Sequence, residues 1–240
     1  MGARRILELL ARERVRATWF IPGHTIDSFP ADCHAVAAAG HEIGHHGWLH
    51  EPPAELGSRE AEAAVLDRGL ESIRRLTGSS PAGYRSPSWD LSPWTIELLL
   101  ERGFRYDSSL MGDDYTPYRC RSGDLVSPDQ PFVRGPETQL WELPVSWSLD
   151  DYPHFEHIRR AGFLQPGLMR GDDVLENWVG DARWMVDHLE QGIITYTLHP
   201  QVVGRGHRML VLERLIRRLR ELGIELMSME EALERWLAKA

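Results

Sequence analysis

The stretch Gly40-His41-Glu42-Ile43-Gly44-His45-His46-Gly47-Trp48-Leu49-His50-Glu51 places four histidines and two glutamates within twelve residues. A short strand is predicted at residues 41–43, and it runs directly into a loop that carries His46 and His50. On one helical turn, side chains four residues apart share a face, so this spacing would let two imidazoles converge on one ion. Neutral imidazole is the commonest protein ligand of zinc-like metals. The alternative is a chance cluster of surface or core histidines, and the pair alone does not decide between the two interpretations.

Predicted helices and strands alternate on both sides of this stretch. The predicted helices cover residues 4–14, 28–39, 58–76, 93–101, 172–191, 207–222 and 228–238. The strand candidates are residues 15–21, 41–43, 83–85, 104–106, 140–145, 193–198 and 224–227, and the remainder of residues 111–170 is irregular. Such alternation predicts an α/β protein with a parallel sheet, and seven strand candidates favour a barrel-like closure over an open sheet. We expect a single domain over residues 1–240.

Composition excludes several classes of protein. The formal net charge of −9 over 240 residues does not favour nucleic acid or an anionic membrane as a partner. The two cysteines, Cys33 and Cys120, form neither a disulfide framework nor a metal-type spacing. No apolar run approaches the ~20 residues of a membrane span. The first sixteen residues form a charged amphipathic helix and not a signal peptide. We therefore expect a soluble, cytoplasmic protein.

Polar and aromatic side chains follow five of the predicted strands at their carboxyl ends, where parallel α/β folds gather their functional residues. In chain order they are His46 and His50, then Arg85 and Trp89, then Asp107, then Trp147, Asp150 and Asp151, and finally His199. Any one of these residues could belong to an ordinary surface loop. Their occurrence after five successive strands is harder to explain in that way.

Four motifs in this order resemble the polysaccharide deacetylase family, the NodB-homology or carbohydrate esterase 4 group. They are Gly-His-Glu-Ile-Gly-His-His-Gly-x-x-His at 40–50, Tyr-Arg-Ser-Pro-x-Trp at 84–89, Tyr-Asp-Ser-Ser-Leu at 106–110 and Thr-Leu-His-Pro at 197–200. The segment Trp-Ser-Leu-Asp-Asp-Tyr-Pro at 147–153 is similar to the branch with peptidoglycan-deacetylase-like proteins, cyclic imide hydrolases and allantoinase-like members. The resemblance covers nearly the whole chain.

This resemblance implies a distorted (β/α)7 barrel, NodB-like in type, that holds a divalent metal, usually zinc. His46 and His50 would be metal ligands, and His199 would be the general acid that protonates the leaving amine. Asp107 would pair with His199 and tune it, and Arg85 would orient an acidic base. The residues expected to contact the substrate are Trp89, which would wall the pocket, and Trp147, Asp150 and Asp151.

One family motif is not found in the sequence. The family carries an Asp pair, as base and third metal ligand, at the end of its first barrel strand, whereas here no acidic motif precedes the strand at 15–21. We therefore expect an N-terminally incomplete domain that lacks the first strand. A catalytic zinc normally has three protein ligands, so metal binding should be weak or absent and activity low. Glu51, Asp150 or Asp151 could substitute, but no spacing argues for it.

The predicted function is metal-dependent hydrolysis of carbon–nitrogen bonds in non-peptide amides. The substrate would be an N-acetylated sugar of a glycan or a small cyclic amide or imide, and residues 147–153 favour the small substrate. The alternative is a degenerate member that binds carbohydrate or a partner without turnover, with tryptophans as stacking platforms. Retention of His199 and Asp107 argues against it, because a binding protein needs no proton donor. Relatives in this branch form homo-oligomers, so we expect one here.

Overall fold

A computed structural model describes residues 1–239 and contains nine helices and ten strands in that part of the chain. The helices are α1 (Gly2–Glu13), α2 (Gly23–Ser28), α3 (Pro30–Ala38), α4 (Arg59–Thr77), α5 (Thr95–Glu101), α6 (Asp151–Phe155), α7 (Gly171–His188), α8 (Gly206–Glu221) and α9 (Met229–Leu237). The strands are β1 (Thr18–Ile21), β2 (Glu42–His45), β3 (Gly83–Tyr84), β4 (Tyr106–Asp107), β5 (Tyr118–Arg121), β6 (Leu125–Ser127), β7 (Gln130–Val133), β8 (Glu137–Glu142), β9 (Ile158–Arg160) and β10 (Phe163–Gln165).

Residue contacts divide the chain into two compact units. The sheet unit comprises Ala17–Pro144 with the C-terminal segment that begins at Ser228. The helical unit comprises Met1–Arg16 and Val145–Met227. The single domain over residues 1–240 therefore remains a prediction. None of the helices in residues 1–239 has the length and apolar character needed to cross a bilayer.

The sheet unit is built on six strands in the order β1-β2-β3-β4-β8-β5. The first five of these lie parallel to their neighbours, and only β5 runs antiparallel to β8. The predicted α/β fold with a parallel sheet is therefore confirmed. At the carboxyl edge, the last residues of the five parallel strands stand opposite one another in register; they are Ile21, His45, Tyr84, Asp107 and Glu142.

Helix α4 covers β2 and fixes its last histidine. The helix begins where predicted, because the Ser58 hydroxyl accepts a hydrogen bond from Ala61 N, and it ends at Gly78 with φ of +80°. Glycine in mid-helix costs about 1 kcal/mol relative to alanine, so Gly69 needs a reason. A Cβ at that position would lie 2.3 Å from His45 Nε2. Gly69 therefore lets the helix approach the buried imidazole.

The helical unit packs around Trp178, whose side chain is fully buried. Apolar side chains of α7 and α8 surround it, and Trp178 Nε1 donates to Ser148 O at 2.8 Å. The Tyr196 hydroxyl donates to Trp178 O at 2.8 Å, which anchors the segment leading to His199. Trp178 thus anchors both the segment that leads to Asp150 and Asp151 and the segment that leads to His199.

Three predicted elements differ from the structure. Residues 193–198 form no strand and make only one bridge, from Thr197 to Asp150, and residues 224–227 form no strand in the part of the chain described. Their apolar side chains pack into the core around α7 and α8, which accounts for the strand-like hydrophobic pattern. The predicted helix 28–39 begins at Pro30, because proline fits the first turn of a helix and breaks its interior. Residues 111–170 contain two hairpins, β6–β7 and β9–β10.

Candidate functional site

His46 and His50 lie on the loop after β2, so the helical-turn interpretation of their spacing is wrong. Their rings are nevertheless adjacent, with centroids 4.8 Å apart and planes at 78°. The loop folds back through two residues with left-handed backbone, Gly47 at φ of +70° and His50 at +67°. A non-glycine residue held in this region is uncommon and clusters at functional sites.

The Arg85 carbonyl fixes the tautomer of His46. Its Nδ1 lies 2.7 Å from Arg85 O, and a carbonyl only accepts, so Nδ1 carries the proton. Nε2 then presents a lone pair, as in metal-bound histidines whose other nitrogen donates to a carbonyl. Two imidazole nitrogens fit a divalent metal of the zinc type. Glu51, considered above as a third ligand, accepts a hydrogen bond from Leu49 N through Oε2.

His45 has a structural role beside this pair. Its Nε2 donates to Leu66 O at 3.0 Å, and its Nδ1 accepts from Gly47 N at 3.2 Å. Complete burial lowers the pKa of His45 to about 4, so the imidazole stays neutral near pH 7. His45 therefore fastens the start of the loop to α4.

Arg85 is buried at the end of β3. Its Nε donates to Ser108 O at 2.9 Å and its Nη2 to Ser108 Oγ at 2.7 Å. The guanidinium also lies 4.5 Å from the centre of the Phe20 ring. Ser88 and Trp89 follow with φ of +58° and +54°, two successive strained residues at a strand end. The roles predicted for Arg85 and Trp89, orienting a base and walling a pocket, remain predictions.

Asp107 and Glu142 form a buried carboxyl pair. They are register partners on β4 and β8, and neither has exposed surface. Ser109 Oγ donates to Asp107 Oδ1 at 2.7 Å, and Glu142 Oε1 accepts from Ser109 N and Leu110 N, both at 2.9 Å. Burial raises the pKa of Asp107 to about 6, and burial together with the Asp107 charge raises the pKa of Glu142 well above its usual value. The pair thus holds a proton near neutrality.

This pair should make stability depend on pH. Unfolded carboxyl groups titrate near about pH 4, so stability is full below that value and is lost as the pH rises through the raised folded pKa values. We expect the free energy of unfolding to fall by about 1–3 kcal/mol from pH 5 to pH 8 through this pair. Glu142→Gln, which removes one ionisable group, should flatten the dependence. Urea unfolding of both proteins across this range measures it, and parallel curves would contradict the assignment.

His199 pairs with Asp151 within the helical unit. Its Nδ1 lies 2.8 Å from Asp151 Oδ1 and 3.6 Å from Asp150 Oδ1. Asp151 also accepts from His199 N and Val203 N, and burial raises its pKa while the bonds from His199 oppose that rise. A carboxylate on Nδ1 orients the ring and stabilises its protonated form. The structure thus gives His199 an Asp151 partner, and the pairing of His199 with Asp107 remains a prediction.

The segment around Asp151 places its carboxylate beside His199. Asp150 caps α6 by accepting from Tyr152 N at 2.7 Å, which directs the next carboxylate inward. Asp151 N donates to Thr197 O at 3.0 Å, and Thr197 N to Leu149 O at 2.9 Å. These two bonds bring the end of the 193–198 segment beside α6. Sequence alternation indicated this strand end, but it could not decide which carboxylate faces the histidine.

The ligating atoms of Asp150, Asp151 and His199 lie within 4.8 Å of one another, the one such group of three in residues 1–239. Its hydrogen bonds argue against a metal there. Both Asp151 oxygens accept from backbone N–H groups, and Asp150 Oδ1 caps a helix. The group is therefore better suited to hold a proton on His199. Trp147, predicted to contact substrate, is 45% exposed in the turn before Asp150.

Sequence reasoning gave no role to three residues of these clusters. Glu142 becomes visible as the neighbour of Asp107 only from the β4–β8 register, and Ser109, although part of the motif at 106–110, is linked to Asp107 only by its hydrogen bond. Arg208, which is 8% exposed, donates to Phe155 O at 2.8 Å and to Val202 O at 3.2 Å. It thus links the end of α6 to the turn after His199. Nothing in the local sequence distinguishes Arg208 from the other arginines of α8.

Comparison with known proteins shows which family this chain is similar to. The polysaccharide deacetylase family model matches residues 2–106. A peptidoglycan deacetylase of Helicobacter pylori is 37% identical over 230 residues, which cover 90% of this chain and 76% of the relative.

Solved structures give the same result. A Mycobacterium smegmatis protein assigned to the polysaccharide deacetylases has a TM-score of 0.81 at 32% identity, covering 99% of this chain and 77% of that protein. An allantoinase has a TM-score of 0.72 at 23% identity, covering 92% of this chain and 66% of the allantoinase, and this similarity concerns the fold alone. With its 37% identity to the Helicobacter pylori enzyme, the chain belongs to the polysaccharide deacetylase family and is a deacetylase-type hydrolase.

Proposed function

We propose that this chain is a metal-dependent hydrolase that removes the acetyl group from an N-acetylated sugar of a peptidoglycan-type glycan. The observation that carries the proposal is the His199–Asp151 pair, an imidazole that is 31% exposed and whose Nδ1 is held by a buried carboxylate. Amide hydrolysis requires such a donor, because the amine leaves only when its nitrogen is protonated. The 37% identical relative, a peptidoglycan deacetylase, supports the glycan as substrate.

The reaction breaks the carbon–nitrogen bond by adding water to the carbonyl carbon. We propose that His46 and His50 hold a divalent metal, which when bound supplies Lewis-acid polarisation of the carbonyl. His199 donates the proton from Nε2 to the leaving nitrogen, and Asp151 holds the imidazole through Nδ1. The products are acetate and a free amino sugar; of the two protons that the water loses to solvent, one restores His199 and the other is released with acetate. Zinc as the metal and assembly into homo-oligomers remain predictions.

A side-by-side assay distinguishes the two substrate classes. The zinc-loaded chain is incubated with N-acetylglucosamine oligomers and with succinimide, a small cyclic imide, and released amine, acetate and ring-opened product are measured. We expect turnover of the oligomers and none of the imide. Turnover of succinimide alone would replace the glycan by a cyclic substrate, which residues 147–153 favour. Binding of the oligomers without any turnover would support a non-catalytic carbohydrate-binding protein.

A further inference from the structure

A continuous series of hydrogen bonds joins His46 to Asp107 through one peptide group. His46 Nδ1 donates to Arg85 O at 2.7 Å, and the N–H of the same peptide, on Ser86, donates to Ser109 Oγ at 2.8 Å. Ser109 Oγ in turn donates to Asp107 Oδ1 at 2.7 Å. Each of the three distances is that of a well-formed hydrogen bond. The series therefore ends at the buried carboxyl pair.

The direction of every proton in this series is fixed by chemistry. The Arg85 carbonyl can only accept and the Ser86 N–H can only donate. The Ser109 hydroxyl accepts from Ser86, so its own proton is available for the carboxylate. All donors thus point toward Asp107, the arrangement in which successive hydrogen bonds polarise one another.

Burial keeps water out of the series. Ser86, Ser109 and Asp107 have no exposed surface, and Arg85 is 7% exposed. Electrostatic interactions are stronger in such an interior than in water, so a carboxylate at one end can act on a group at the other. The negative charge strengthens each acceptor in turn, up to the Arg85 carbonyl that faces the imidazole.

Glu142 fixes the far end. Its Oε1 accepts from Ser109 N and Leu110 N, which sets the turn that carries the Ser109 hydroxyl. Asp107 Oδ2 is buried without a hydrogen-bond partner in the described residues, and Glu142 is the register neighbour of Asp107. A neutral Glu142 that donates to an ionised Asp107 satisfies both groups. The negative charge then resides on Asp107, the residue to which Ser109 Oγ donates.

We propose that Ser109 is a positioning residue for His46, connecting the Asp107 carboxylate through the Arg85–Ser86 peptide so that Nδ1 keeps its proton and Nε2 stays the metal-facing nitrogen. This inference rests on the proposed role of His46 as a metal ligand. Metal-bound histidines commonly donate to a carboxylate or a carbonyl, and loss of that partner costs about 10–100-fold in affinity. Here His46 donates to the Arg85 carbonyl, and the Asp107 carboxylate acts on that carbonyl through Ser109 and the Ser86 N–H.

The test compares Ser109→Ala with Ser108→Ala. Ser108 is an equally buried neighbour whose hydroxyl bonds Arg85 and Leu143 O but not the peptide of the series. We expect Ser109→Ala to lower Co²⁺ affinity, measured by calorimetry, by about 10-fold or more, and Ser108→Ala to lower it much less. Circular dichroism and thermal unfolding check that both variants fold.

A second measurement does not need metal. The ¹⁵N shifts of the His46 ring at fixed mildly alkaline pH report which nitrogen carries the proton. We expect the Nδ1–H form to dominate in the parent chain and to lose population in Ser109→Ala. A parent chain that binds no Co²⁺ but shows the tautomer change would reject the metal role and keep the hydrogen-bond series. Parent-like tautomers in Ser109→Ala, or equal Co²⁺ losses in both variants, would overturn the inference.

Discussion

The His199→Ala variant is expected to lose about 10²–10⁴-fold in kcat on an N-acetylated oligosaccharide, with little change in binding of the same sugar. The imidazole is the proton donor in the proposed reaction, and its Nδ1 is held 2.8 Å from Asp151 Oδ1. Loss of the donor raises the barrier to amine departure, whereas substrate contacts elsewhere are retained. Steady-state kinetics and a binding isotherm with unhydrolysed substrate separate the two effects.

Two further variants assign the partner of this histidine. In Asp151→Asn, the amide oxygen alone can still accept hydrogen bonds from His199 N and Val203 N. The substitution removes the negative charge that orients the imidazolium. We expect it to lower kcat and to change the alkaline limb of the pH profile. Asp107→Asn, which alters the carboxylate predicted from sequence, should leave that limb in place. His207→Ala, an exposed histidine at the start of α8, is the matched control.

If Asp107→Asn changed the alkaline limb as Asp151→Asn does, the pairing expected from sequence would be correct after all. If His199→Ala kept parental kcat, the proton donor would have to be sought elsewhere. Neither result would alter the family membership, which rests on overall similarity and not on this residue.

The parallel order of the first strands could be predicted because each has its own local signal. The apolar run of β1 is ended by Pro22, and a helix precedes each of β1, β2 and β4. Functional residues at the carboxyl edge followed from the same reasoning, since parallel strands end on one side of a sheet. His46 and Arg85 accordingly lie one residue beyond the register partners His45 and Tyr84.

Contacts that depend on register or on a helix start could not be read from sequence. Asp150 and Asp151 are adjacent carboxylates, and only the start of α6 decides that the first caps a helix and the second turns inward. The partner of Asp107, Glu142, lies thirty-five residues away on a strand whose register is not encoded locally. The apolar run at 193–198 looks like a strand because its side chains pack partly buried against the core, although it makes only the bridge from Thr197 to Asp150.

Replacement of His46 or His50 by alanine is expected to reduce zinc affinity. Loss of an outer hydrogen-bond partner of a metal ligand costs about 10–100-fold, so loss of a ligand itself should cost more. For the double variant we expect a loss of about 10³-fold or more. Each substitution removes one imidazole of the adjacent pair, whose centroids are 4.8 Å apart. In the His50→Ala variant, the second nitrogen of His46 cannot replace the lost ligand, because His46 Nδ1 already donates to Arg85 O. Activity should fall in parallel with bound metal.

Zinc titration of metal-free protein, followed by elemental analysis after gel filtration, measures this effect. His34→Ala, an exposed histidine of α3, is the control for unspecific imidazole binding. Asp151→Asn and His199→Ala are the arms that decide between sites, because these residues belong to the group of three ligating side chains in the helical unit. Metal lost in those variants but kept in the His46 and His50 variants would move the metal to that group. His199 Nδ1 could not then keep its hydrogen bond to Asp151, since a nitrogen that binds a metal carries no proton.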